Sequence, residues 1–487
     1  MSSNDLPTTP GKPRSLLRGR AVAVGVVAMV FGVAACSSSK HATTASSASQ
    51  STASSASSSS PAPTAAVAST ASAPAPSSAA PAASSAAGTG SGPVKLTFWE
   101  FDNGPDTPSM TSIINNFNKS QSKYQVVDVN INYQTLAQKI LVSMAAGGAN
   151  GPGMFTTSTD TISQYVANGS VANLDDFYST PSSYPNAAAI LPAAVSASHI
   201  KGHAYAIPEN FFDEGLCYNK DLFTKAGIAS PPATWADFAT DASKLTIVKN
   251  GRAVQYAIAL GDQNDTSQFW QPLLWNGGGG VVSDDGKTSL LGDPKTIAAL
   301  QFWVNGVKNL HWSPIGDQGP AAQALFDTGR AAMFPCGPWV VGTAQAGHIN
   351  LGVAPMPAGS AGNFPWAGSI VFAVPTTDTP EQKAAAEAFG DFWNNKASQF
   401  IFSNGNGYPT TRTDMTPADF PNNPWVGSFS VFASTSKYYL AGVPAGTQIN
   451  NDVFVPALDK ALAGQGTVQD LFTSAGKAAQ ALLDKNP

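Results

Sequence analysis

Residues 94–119 read VKLTFWEFDNGPDTPSMTSIINNFNK. The opening VKLTFW alternates apolar and polar positions, as a strand with one face inward does. From Thr107 the period changes: Met110, Ile113, Ile114 and Phe117 fall at i, i+3, i+4 and i+7, one face of a helix. YQVVDVNIN at 124–132 repeats the strand pattern. YQTLAQKILVSMAAGG at 133–148 repeats the helical one, with Leu136, Ile140 and Met144 inward and the glycines ending it. Strand and helix in alternation predict an α/β fold with a parallel sheet.

Downstream, Thr379-Pro380-Glu381-Gln382 is a capping box with proline in the first helical turn, and Ala385, Ala388, Phe389, Phe392 and Trp393 follow on one face. GGGGVVSDDGKTSLL at 277–291 has the form of a hairpin turning at Asp285-Gly286. No internal repeat is present. The roughly 400 residues from Val94 onward are too many for one small core, and predict two closely packed lobes.

Upstream of Val94 the texture is different. Lys12, Arg14, Arg18 and Arg20 precede an apolar run from Ala21 to Ala35 that is shorter than the roughly 20 residues of a spanning helix. Basic, then apolar, then small residues is the order of a secretory signal. Val33-Ala34-Ala35-Cys36 resembles a bacterial lipobox, which implies cleavage after residue 35 and a lipid on the Cys36 sulfur, holding the chain to a membrane. Residues 36–93 are almost entirely Ser, Ala, Thr and Pro, too poor in large apolar residues to offset the entropy of ordering, and are expected to form a disordered tether. As a flexible coil the tether would span roughly 40 Å. It accounts for much of the low charged fraction, 12%. The net charge of −5 and the lack of basic runs after residue 20 argue against a nucleic-acid partner.

AYAIPENFFDEGLCYNKDLFTKAGIASPPATWADF at 204–238 resembles the signature of extracellular solute-binding proteins of carbohydrate ABC importers, the family 1 group that includes maltose-binding protein. The core of the match is Tyr218-Asn219-Lys220-Asp221-Leu222-Phe223, Ala226-Gly227-Ile228, Pro232 and Thr234-Trp235. LFDTGRAAMFPCGPW (325–339), the hairpin, GVAPMP (352–357) and GNGYPTTR (405–412) follow in the family's order, so the likeness covers nearly all of 94–487. Gly153 departs from it, standing where the family usually carries aspartate. The resemblance implies a two-lobed fold of the periplasmic-binding-protein type II kind, with a hinge and a ligand cleft between the lobes. Lobe I would hold 94–212 and 373–415, and lobe II 213–372 and 416–487. It also implies a monomeric receptor that binds a mono- or oligosaccharide and docks on a membrane permease, with no cofactor and no catalytic residues.

A sugar offers hydroxyl edges to polar side chains and C–H faces to aromatic rings, so its site needs both. Trp99, Phe101 and Asp102 close the first strand, at the carboxyl end where ligands of open α/β sheets gather. Asp160, in TTSTDTISQY, matches a ligand-contacting aspartate of the family and equally suits a helix cap. Phe212 and Asp213 lie at a lobe crossing, and Trp270, Trp339 and Trp366 stand at helix starts or turns on the far side of the cleft. Trp235, Trp275, Trp303 and Trp393 read as packing residues. With Cys36 lipidated, Cys217 and Cys336 remain, as a disulfide or as two buried thiols. No catalytic or P-loop motif occurs, and His41, His199, His203, His311 and His348 show no metal spacing beyond the His199/His203 pair, which reads as surface. Two alternatives remain: a glycoside hydrolase drawing on Asp102, Asp160, Asp213 or Glu214, and a wall-associated polysaccharide binder without transport.

Overall fold

The computed structural model describes residues 92–101, 106–148, 150–263, 267–430 and 435–486. The expected signal segment, Cys36, the expected tether up to residue 91 and Asp102 lie outside them. All described residues fall in one compact unit of the chain.

The alternation at the start of this unit forms as the periodicities predict. Strand β1 (Val94–Glu100) leads to α1 (Thr107–Ser120), β2 (Tyr124–Asn130), α2 (Tyr133–Ala145), β3 (Met154–Ser158) and the short α3 (Ile162–Ala167). α1 carries Pro108 in its first turn and buries Met110, Ile113, Ile114 and Phe117. β1 runs parallel to both β2 and β3, and the sheet continues, now antiparallel, through Ile370–Ala373 to Ile207–Pro208. The helix Pro380–Trp393 starts at the Thr379/Gln382 capping box and packs Phe389 and Trp393 against β1 and Phe372. Ala388 and Phe392 sit at the margin of that core, half-buried.

The second lobe has its own five-stranded sheet, in the order Leu351–Ala354, Gly215–Asn219, Ala331–Cys336, Arg252–Ile258, Ile247–Lys249. Its core gathers Trp270, Trp303, Phe238 and Leu274. Cys217 and Cys336 are joined in a disulfide, with 5.8 Å between their Cα atoms. Register explains the pairing: Cys217 stands opposite Phe334 and Cys336 opposite Gly215, so the cysteines are diagonal neighbours on adjacent antiparallel strands. The 277–291 segment is a turn closed by a single bridge, Val282 to Ser289, with Gly286 at φ 72°.

The chain passes between lobes three times, and the three crossings pair with one another. Phe212–Asp213, Trp366–Gly368 and Lys437–Tyr438 form a small sheet with Trp366–Gly368 in the middle. The chain re-enters the first sheet at Ile370, whose N–H donates to Asn210 Oδ1. The first lobe also keeps the turns beyond residue 415. Phe420 stacks on Phe400 and the Asn423 amide donates to Asn404 O.

Candidate functional site

The carboxyl ends of β1 and β3 point to one side of the first sheet, and the second lobe faces them there. Between the lobes is a cavity of about 620 Å³, within the range of small-molecule sites. Its first wall comes from Phe101, from Tyr133, Leu136, Ile140 and Leu141 on α2, and from the end of β3 and the turn after it, Thr156 to Thr161, with Gln164. Tyr133 meets Phe101 edge to face at 5.0 Å. Gln318, Tyr439, Leu440, Thr447, Asn450 and Asn451 make the opposite wall, and Phe212 and Trp366 from two of the crossings are the floor.

On the first wall, Asp160 closes β3. Burial pushes its carboxyl above the usual carboxylate range, against the pull of a hydrogen bond to Ser158. Beside it the Thr156 hydroxyl is buried without a hydrogen-bond partner. The second wall is built on one turn of π-helix, Ile449–Phe454, a wide turn that recurs at functional sites. Here the Tyr439 hydroxyl donates to Asn450 Oδ1 and Asn450 Nδ2 donates to Asn451 Oδ1 at 2.7 Å, a chain that turns the Asn451 amide nitrogen outward. At the floor, Phe212 is 3% exposed and packs edge-on against Trp339 (5.1 Å) and Trp366 (5.4 Å). The lobes also touch directly: Gly442 N–H donates to Ser163 Oγ at 2.9 Å, outside the lining of the cavity.

Phe101, Asp160, Phe212 and Trp366 thus come together at one cavity. Trp339 adjoins the same aromatic cluster and lines a second, smaller cavity. Trp99, Asp213 and Trp270 are elsewhere. Trp99 packs half-buried against the first-lobe cluster that gathers Ile131, Leu136 and Phe155. Asp213 has no exposed surface; its N–H donates to Phe429 O, and its charge, after burial, holds the Tyr438 hydroxyl well above its ordinary range. Trp270 is 1% exposed, with its indole N–H on Gly261 O at 2.8 Å, because the helix Ser267–Asn276 turns that face into the second core. Tyr133, Gln164, Tyr439, Asn450 and Asn451 were not foreseen. Tyr133 begins a helix that reads only as amphipathic, and the Asn pair gains its position from a π turn that side-chain periodicity does not mark.

Among the described residues, no group of three or more His, Cys, Asp or Glu side chains could hold a metal ion, and no helix is long and apolar enough to cross a membrane.

The sequence profile of the family described as bacterial extracellular solute-binding protein matches residues 112–426. A protein of Brucella abortus named as a binding protein is 26% identical over 298 residues, 60% of this chain and 71% of its own. The maltotriose-binding protein of Pyrococcus abyssi is 27% identical over 224 residues, 46% of this chain and 45% of its own. Among solved structures, the GacH receptor of Streptomyces glaucescens, studied unliganded and with acarbose, superposes with a TM-score of 0.70 at 24% identity, covering 81% of this chain and all of that one. UgpB of Mycobacterium tuberculosis, solved with glycerophosphocholine, gives 0.71 at 21% identity over 81% of this chain and 99% of its own. At these identities the structures establish the shared two-lobed fold.

Proposed function

The chain belongs to the family of bacterial extracellular solute-binding proteins, and from that premise we propose that it is the substrate receptor of an ABC importer, taking an uncharged mono- or oligosaccharide into the cleft and delivering it to a membrane permease. The observation that carries this reading is the composition of the large cavity. Aromatic rings (Phe101, Tyr133, Phe212, Trp366, Tyr439) alternate with hydroxyls and amides (Thr156, Thr159, Gln164, Thr447, Asn451), and none of the described lining residues is Lys, Arg or His. Rings suit the C–H faces of a pyranose, and the hydroxyls and amides suit its edges. The sugar ligands named for the Pyrococcus and Streptomyces proteins support the same class.

The mechanism follows from walls that belong to different lobes. A ligand that bonds both walls favours the closed arrangement by its differential affinity for it, and the closed surface is what a permease would read. Residues Phe101, Asp160, Phe212 and Trp366 are the proposed contacts, with Trp339 packed behind Phe212 and with Tyr439 and Asn450 fixing the Asn451 amide. A receptor is favoured over a hydrolase because glycoside cleavage needs two carboxylates flanking the bond. Of the four carboxylates considered, Asp160 lines the cavity, Asp213 and Glu214 have no exposed surface, and Asp102 lies outside the described residues.

Cys36 is the proposed lipid-bearing first residue of the mature chain, which would place a monomeric receptor on the outer face of the cell membrane at the end of its tether. Mass spectrometry of the amino-terminal peptide should find a diacylglyceryl group on Cys36, and Cys36→Ala should release the protein to the medium; an unmodified terminus would refute the anchor. For the ligand, titration calorimetry with neutral mono- to tetrasaccharides should find micromolar or tighter binding that Phe101→Ala and Trp366→Ala each weaken about tenfold, a loss of about 1.4 kcal/mol. Unchanged binding in both variants would remove the cavity from consideration.

A further inference from the structure

The large cavity carries an acidic group on one wall and no basic group on either. Asp160 is the single Asp or Glu among its described lining residues, and none of them is Lys, Arg or His. The side chain is not sealed off: Asp160 is partly exposed and lies at the cavity, between the end of β3 and the start of α3. Burial nonetheless disfavours its ionised form, and a hydrogen bond with Ser158 offsets this only in part. Tyr165, the titratable group that feels its charge, is itself held well above its ordinary range by burial and then by Asp160, so it brings no positive charge. The far wall has the opposite polarity. Asn451 Oδ1 is taken up by Asn450 Nδ2 at 2.7 Å, which leaves the Asn451 amide nitrogen to donate to a ligand. A carboxylate drawn out of water without a counter-charge is costly. A cationic group on the ligand offsets that cost, through hydrogen bonds roughly twice as strong as those of neutral pairs. An anionic ligand meets the reverse, since Asp160 repels it and no lining cation compensates.

We propose that Asp160 selects the ligand by charge: the large cavity takes basic amino sugars in preference to their neutral counterparts, with the ammonium group at Asp160, and excludes uronates and sugar phosphates. This selection rests on the reading of the cavity as a sugar site and ranks the sugars that the site would take.

The test is calorimetry on the full chain at about pH 7, where an ordinary amine is protonated. The probes are D-glucose, D-glucosamine and D-glucuronate, then D-galactose, D-galactosamine and D-galacturonate, then cellobiose and the disaccharide of chitosan. In at least one series the amino form should bind about fivefold or more tighter than the neutral form, and neither uronate should bind. Asp160→Asn should bring the amino-to-neutral ratio of that series close to one, whatever it does to neutral affinity, and Asp160→Glu should retain the preference. Neutral sugars that bind while their amino forms bind no tighter overturn charge selection and leave the sugar site standing, as does a uronate that binds as well as its neutral form. An amino preference that survives in Asp160→Asn overturns the assignment to Asp160. Amino forms that bind while no neutral sugar does support the selection and refute the neutral ligand. If no probe binds, charge selection is overturned, and neutral tri- and tetrasaccharides still decide the cavity separately. The wild-type ratios are decisive even where a variant folds poorly.

Discussion

Trp270 and Phe212 show how a single residue's role is decided by what its element turns toward. Both are aromatic residues near the cleft in sequence, and both were candidate contacts. Phe212 sits on a two-residue crossing strand and reaches the cavity floor; Trp270 is on a helix face turned into the second core. No property of the isolated QFWQPLLW stretch separates these outcomes, since a tryptophan at a helix start can face either way. Trp270→Ala should therefore cost about 3–5 kcal/mol of stability, read from the denaturant midpoint, with ligand affinity of the folded protein nearly unchanged. Gly153 has a reason visible only in three dimensions: a side chain there would meet Leu96 Cδ1 at 2.8 Å and the Asp378 carboxyl at 3.4 Å. Asp378 is pushed up to about 7 by burial, whereas an unfolded aspartate titrates near 3.9. Between about pH 4 and 7 the folded state thus keeps a proton the unfolded chain has lost, and this group's stabilisation fades as the pH rises through that window. Asp378→Asn should melt higher than wild type above about pH 7, with the difference shrinking toward pH 4. A difference independent of pH would contradict the assignment.

Elements whose signal is local were readable. α1 and the helix at the Thr379 capping box stand where their side-chain patterns place them, the first through its buried face and the second through cap and buried face together. Elements that depend on partners were less so. The 277–291 turn carries the Asp-Gly signature but builds only one bridge. The π turn at Ile449–Phe454 and the pairing of the three crossings depend on segments far apart in sequence, which local periodicity does not report. The disulfide belongs to the same class: two cysteines 119 residues apart give no separation in space until the strand register is known. It ties the strand leaving the first crossing to the strand leading to Trp339. Replacing both cysteines by alanine should cost about 2–4 kcal/mol and weaken binding at the cleft by loosening that wall. A double variant with wild-type melting temperature would mean the strands need no staple.

At the scale of the whole molecule, alternation and length were enough for two α/β lobes, and the fold agrees with the solved relatives. The lobes' relative placement was not legible, because it is set by the crossing sheet and by contacts across the cleft. The Gly442 N–H to Ser163 Oγ bond is one of these, made by residues that do not line the cavity. A hydrogen bond of this kind is worth about 1 kcal/mol net. Ser163→Ala should thus lower apparent ligand affinity about fivefold and shift solution scattering toward an open form, while the melting temperature of the empty protein stays nearly constant. Loss of affinity without a change in scattering would place Ser163 in folding or ligand contact instead of closure.

The most direct measurement is calorimetric titration of the full chain with neutral mono- to tetrasaccharides, with chromatography of the sugar recovered afterwards. Saturable binding of at least one sugar that is recovered intact is the predicted result. Cleavage of the bound sugar, or silence across the panel with binding of a charged solute such as glycerophosphocholine, would contradict it.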